Sequence, residues 1–173
     1  MTTQHRQAKV TLYNTISLDG MIANPSQEFD WLAADYSLDE FFKHCQQSDA
    51  VVMGRKAWAS YTTNQMMPLH AKTLVFTNQP LNDQAASSVT GTAEDAVAML
   101  EAQGTRNILL VGGTQTNDLF LQAGCIDEFV FDIQPVFLGS GLPLFHTTQR
   151  PPMALIETKQ IGSVLHARYR ATY

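Results

Sequence analysis

Three short apolar runs, each followed by a glycine or a polar turn, limit most what this chain can fold into. They are 50–53 (Ala-Val-Val-Met), 73–76 (Thr-Leu-Val-Phe) and 108–111 (Ile-Leu-Leu-Val). A solid run of this length suits a strand buried on both faces, as in a parallel sheet. Helical patterns alternate with the runs. Ser37 and Glu40 read as a Ser-x-x-Glu capping box, after which Leu38, Phe41, Phe42 and Cys45 recur at i, i+3, i+4 and i+7 as one apolar face. Both phenylalanines read as core. A helix is predicted around 56–61, and another opens at Thr92 and Asp95, with Ala93, Ala96, Val97 and Leu100 inside and Gly104 at C′. A further helix ends near Gly124.

The flanking segments complete one domain spanning residues 1–173. Val10, Leu12 and Ile16 alternate with more polar neighbours in a strand over 9–16, and a short strand is predicted near 87–90. Strands over 128–134, 154–161 and 163–172 follow with no helix between them, and their alternation predicts antiparallel pairing at one side of the sheet. The Gly/Pro-punctuated segment 135–143 reads as a loop. The fold class is α/β, with a mainly parallel mixed sheet and antiparallel C-terminal strands.

Composition narrows the function. Net charge is −5, which argues against a nucleic-acid partner and leaves room only for a local anion site. Cys45 and Cys125 form no CxxC, so a reducing compartment is expected. The N-terminus has no apolar signal core, and no run approaches the roughly 18 apolar residues of a membrane span. A cytoplasmic location with no membrane partner is the resulting expectation. The histidines show no HxH or HExxH spacing, so no metal site is expected, and no GxSxG elbow is present.

The chemistry sits where the runs end. Gly54-Arg55-Lys56, Thr77-Asn78 and Gly112-Gly113-Thr114 each follow an apolar run. Ligands of open α/β sheets bind beyond the carboxyl ends of the strands, so parallel neighbours would bring the three turns to one crevice. Glycine lets the backbone approach a ligand, a helix N-terminus favours an anion, and Arg55 and Lys56 add charge. Neither GxGxxG nor GxxxxGK[ST] occurs, so a dinucleotide site here is of another type. Asp30-Trp31 reads either as a carboxylate and an aromatic wall of a pocket or as a helical turn with a core tryptophan. Asp19, before Gly20, reads as a turn residue.

Met53-Gly54-Arg55-Lys56-Ala57-Trp58 resembles the Met-Gly-Arg-x-Thr-Trp segment of dihydrofolate reductases. Ser17-Leu18-Asp19-Gly20 and Val111-Gly112-Gly113 resemble still more the reductase domain of bifunctional riboflavin-biosynthesis enzymes and its stand-alone relatives. The resemblance runs from about residue 9 to 145. It implies a three-layer dihydrofolate-reductase-like fold, NADPH as cofactor, hydride transfer to a C=N or C=O of a small substrate, and a homodimer. Carried onto this chain, it places Thr15, Ile22 and Ala23 by the nicotinamide and segment 23–31 as the loop that covers it. It places Gly54, Arg55 and Lys56 on the phosphates, Arg55 reaching the 2′-phosphate, and Thr77 and Asn78 at the adenosine end. Val111, Gly112, Gly113, Thr114 and Gln115 would wrap the pyrophosphate. Beside these carried-over positions, Trp31 is the candidate wall of the substrate pocket, and the proton would come from water or from Asp30.

Two departures bear on substrate and cofactor. Leu38 stands where folate reductases carry an acidic residue; Asp39 is one step off, about 100° around a helix, so folate reduction is not expected. Thr114-Gln115 replaces a common Gly-Arg, removing one cation, while Arg55 keeps NADPH ahead of NADH. The HxE and PCxxC signature of the deaminase half is missing. The rival reading is a nucleotide-binding or regulatory module without turnover.

Overall fold

Each solid apolar run forms a central strand of one sheet. The structure, a computed structural model, describes residues 6–65, 72–81 and 84–173. The elements run β1 (Lys9–Ser17), β2 (Met21–Ala23), α1 (Asp39–Gln46), β3 (Ala50–Gly54), α2 (Arg55–Thr63), β4 (Lys72–Phe76), β5 (Ser87–Val89) and α3 (Ala93–Ala102). There follow β6 (Asn107–Leu110), α4 (Thr114–Gln122), β7 (Glu128–Gln134), β8 (Leu142–Pro143), β9 (Met153–Ile161) and β10 (Val164–Ala171). The eight-stranded sheet has the order β5-β4-β3-β6-β1-β7-β10-β9, and β2 pairs with β8 in a small separate ribbon.

Alternation along the buried strands explains the three layers. Ala50 and Val52 of β3 join Val10, Leu12, Leu110 and Phe120 in a core under α3 and α4. Val51 and Met53 point the other way, into a second core with Tyr13, Phe41, Cys45, Trp58 and Val130 under α1 and α2. Ala50, Val51, Val52 and Met53 are all fully buried. At about 1.5–3 kcal/mol for each large apolar side chain removed from water, the central strands hold the sheet against both helical layers. Among the described residues, no helix is long and apolar enough to cross a membrane.

Several expectations are corrected. The antiparallel portion begins later than the alternation predicts: β7 runs parallel to β1 and antiparallel only to β10. Strand β7 is covered on both faces, yet it carries polar residues because Glu128 and Asp132 are paired inside. Helix α1 starts at Asp39 with Leu38 at the N-cap and no side-chain cap. Ser37 Oγ accepts from Asp39 N instead of completing a box with Glu40. The Glu40 carboxylate is drawn off by Lys43 and Lys159, at 2.7 and 2.6 Å. Phe41 is core, but Phe42 is 37% exposed. The segment 135–143, read as loop throughout, contributes Leu142–Pro143 as β8. The Thr92–Asp95 capping box is present in both directions, and Gly104 takes φ +86° after α3.

Candidate functional site

Parallel pairing of β4, β3 and β6 brings the three strand-end turns side by side. Gly54 closes β3, and its N–H donates to Gly112 O at 2.7 Å, tying the first turn to the third. Each glycine also starts a helix: Gly54 is the N-cap of α2 and Gly113 that of α4, both in extended conformation. Neither helix has a side-chain cap or an acidic residue in its first turn. Two sets of orphan N–H groups and two positive dipole ends are therefore free for an outside anion.

These termini open into a cavity of about 630 Å³. Gly54, Arg55, Lys56, Thr77, Asn78, Gly113, Thr114 and Gln115 all line it, with no carboxylate among the lining residues. Gly112 lies behind the wall with φ +96°, where a Cβ would meet Asn14 Nδ2 at 3.1 Å. Thr114 Oγ1 donates to Pro143 O at 2.5 Å, joining the start of α4 to β8.

A smaller cavity of about 140 Å³ adjoins the first, and Lys56 and Gly113 line both. Thr15, Ile22, Ala23 and Trp31 line it, so the residues expected at the nicotinamide and substrate end share one wall system; Val111, expected on the pyrophosphate, lines this cavity and not the larger one. Most of the remaining wall is apolar or aromatic: Tyr13, Phe29, Leu32, Leu38, Phe41 and Tyr61. Leu38 thus faces the cavity at the position where an acid was looked for. The Trp31 indole N–H is buried with no hydrogen-bond partner among the described residues, a donor available to a ligand.

Segment 23–31 is folded over this cavity by its own polar groups. Asn24 Oδ1 accepts from Glu28 N and Ser26 Oγ at 3.0 Å each. Asn24 Nδ2 donates to Asp30 Oδ1 at 2.9 Å. Asp30, the candidate proton donor, is exposed and lines neither cavity. The loop's far end is held by Ala33 N donating to the buried Gln134 Oε1 at 2.9 Å. Asp19 is a clamp as well as a turn residue. It accepts from Ser17 Oγ at 2.6 Å, Leu138 N at 3.1 Å and Gly139 N at 2.7 Å. These bonds, the Ser17 hydroxyl first, hold its carboxyl down at about 2.

Sequence reasoning did not single out Tyr13, Asn14, Tyr61 or His146 as cavity residues. Tyr13 and Asn14 sit on β1 beside Thr15, and a strand ending at the crevice was the available signal. His146 follows β8, an element the loop composition concealed.

A mainly parallel sheet with helices on both faces and a crevice across its strand ends defines a dihydrofolate-reductase-like domain. The model of the RibD C-terminal domain matches residues 8–167, and the chain belongs to that family. It is 33% identical to Uncharacterized protein YwjB of Bacillus subtilis (strain 168), across 94% of this chain and 98% of that one. Among solved structures it is similar to a proposed riboflavin biosynthesis protein from Shewanella sp. PV-4, with TM-score 0.83 and 24% identity, covering 95% of this chain and 99% of that one. It is also similar to a diaminohydroxyphosphoribosylaminopyrimidine deaminase/5-amino-6-(5-phosphoribosylamino)uracil reductase from Thermotoga maritima (TM-score 0.71, 16% identity). That alignment covers 96% of this chain but 57% of the Thermotoga chain.

Proposed function

We propose that the protein is a NADPH-dependent reductase acting on a small heterocyclic, pyrimidine-type molecule. The observation that carries this reading is the pair of uncapped helix N-termini, α2 and α4, facing one cavity beside Arg55 and Lys56. That arrangement suits a pyrophosphate, and Phe76, Thr77, Asn78 and Val89, which line the same cavity, suit a nucleoside. Bound NADPH supplies a hydride. The chain's own part is to bind and orient. Gly113, Thr114 and Gln115 offer backbone N–H groups, Gly54 brings the start of α2 up to the cavity, and Arg55 takes the 2′-phosphate. Thr15, Ile22, Ala23 and Val111 border the nicotinamide, with Trp31 and Phe41 stacking against a planar substrate.

Segment 23–31 excludes water from the reacting carbon, which raises the worth of every polar contact inside. With Asp30 outside the cavity, the proton that completes reduction of the C=N or C=O comes from water. The name of the Thermotoga protein, a phosphoribosylaminouracil reductase, supports a pyrimidine-type substrate through the shared fold. Exposed apolar residues Met153, Leu155 and Leu165 on one face of β9 and β10 support a homodimer.

The test is to follow absorbance at 340 nm with NADPH and a panel of pyrimidine, pterin and carbonyl compounds. Oxidation with a pyrimidine is the expected result. NADPH binding with no oxidation across the panel would favour the non-catalytic nucleotide-binding module.

A further inference from the structure

An ionised carboxylate accepts hydrogen bonds and donates none, so it sets the direction of every bond in a buried cluster around it. Asp132 of β7 is fully buried. Tyr13 Oη and Tyr36 Oη lie 2.5 and 2.7 Å from its Oδ2, and His166 Nδ1 lies 2.7 Å from Oδ1. The carboxylate can accept from all three. Burial first, and then the Asp132 charge, push both phenols up from their ordinary value, so both stay O–H donors. Tyr36 has one proton and gives it to Asp132. Only its lone pairs remain for Thr15, whose Oγ1 is 3.0 Å away. Thr15 is therefore the donor in that bond. It is also a wall residue of the smaller cavity, and with its proton committed inward it has only an acceptor left for a ligand.

We propose that the Thr15–Tyr36–Asp132 chain fixes Thr15 as a hydrogen-bond acceptor, so that the smaller cavity selects a ligand presenting an N–H or NH₂ group at that wall. Thr15 determines specificity. Tyr36 and Asp132 are positioning residues, since neither lines the cavity and both act through Thr15. The inference rests on the reductase reading for its two sources of such a donor: the carboxamide NH₂ of nicotinamide, and an amino or ring N–H group of a heterocyclic substrate. A ligand with a lone pair or a methyl group at this place leaves a buried polar group unpaired, a loss of about tenfold or more in affinity.

Two matched pairs separate the sources. NADP⁺ is compared with its 3-acetylpyridine analogue, in which CH₃ replaces the carboxamide NH₂, and an aminopyrimidine with the corresponding methylpyrimidine. Dissociation constants are measured for the wild type, Tyr36→Phe, Thr15→Ser and Thr15→Val. The wild type is expected to prefer the amino member of one pair by about tenfold or more, and the identity of that pair names the source. Thr15→Ser keeps the preference and Thr15→Val loses it. Tyr36→Phe frees the Thr15 proton to turn outward, so the preference falls below about threefold although the cavity wall is unchanged. Full discrimination in Tyr36→Phe, or none in the wild type for either pair, overturns the proposal. Failure of both nucleotides to bind would remove the reductase reading, while the pyrimidine pair, measured without nucleotide, would still decide the acceptor.

Discussion

A Cβ at Gly54 would stand 2.7 Å from Thr116 Oγ1 and 3.7 Å from Gly113 N. The φ of Gly54 is −83°, so the requirement for glycine comes from the close approach of β3 to α4 and not from backbone sign. Gly54→Ala is expected to cost about 1–3 kcal/mol in urea denaturation, the usual range for overpacking. Adding Thr116→Ala should recover most of that loss, because it removes the oxygen that the new methyl meets. An unchanged deficit in the double variant would show that the contact is not the cause. Gly54 and Gly112 were legible because a close approach at one and a positive φ at the other leave one residue type to choose. Tyr13, Phe41 and Tyr61 were not, because a cavity wall and a core share one apolar periodicity. The exposure of Asp30 was not legible for a related reason: adjacency to Trp31 in sequence says nothing about which side of a loop a side chain takes.

Among the elements, the turn after β1 is held more firmly than its length suggests. Asp19 links the Ser17–Gly20 turn to the backbone at Leu138 and Gly139, so the two loops are tied together. Its carboxyl sits near 2 in the folded protein against an ordinary 3.8. A depressed folded value means that the stabilisation is full above about 3.8 and is lost as pH falls towards 2. Asp19→Asn should therefore lower the urea midpoint at pH 7, and the gap from wild type should narrow as pH falls through that window. A gap independent of pH would contradict the clamp. Helix α1 shows the opposite case, where a local signal misleads. Ser37 and Glu40 have the spacing of a capping box, but Lys43 and Lys159 compete for the Glu40 carboxylate, and Lys159 is remote in sequence. Thr92 and Asp95 have no such competitor among the described residues, and their box forms. Local patterns hold where no distant charge intervenes.

At the scale of the molecule, an acidic chain of net charge −5 concentrates two helix N-termini and two cations at one end of its sheet. The parallel order β4-β3-β6 was legible from solid apolar runs, and with it the convergence of the three turns. The position of β7 was not, because Glu128 and Asp132 break its apolar run while being satisfied by Arg168 and His166, 40 and 34 residues further along the chain. The edge of the sheet carries a prediction of its own. Leu165, Tyr169 and Ala171 share one face of β10, and Leu155 and Met153 pair onto that face from β9. Met153, Leu155 and Leu165 are 48, 57 and 45% exposed. If a second copy covers them, Leu155→Lys should convert a dimer to a monomer in light scattering behind size exclusion, with the fold retained by circular dichroism. An unchanged dimer would place the interface elsewhere.

The central claim is that the larger cavity is a NADPH site in which Arg55 holds the 2′-phosphate. Fluorescence titration of the wild type and Arg55→Glu with NADPH and NADH tests it most directly. The account predicts saturable NADPH binding that charge reversal weakens by about tenfold or more, with a much smaller loss for NADH. Equal losses for the two nucleotides would remove Arg55 from the 2′-phosphate, and no NADPH binding by the wild type would contradict the account as a whole.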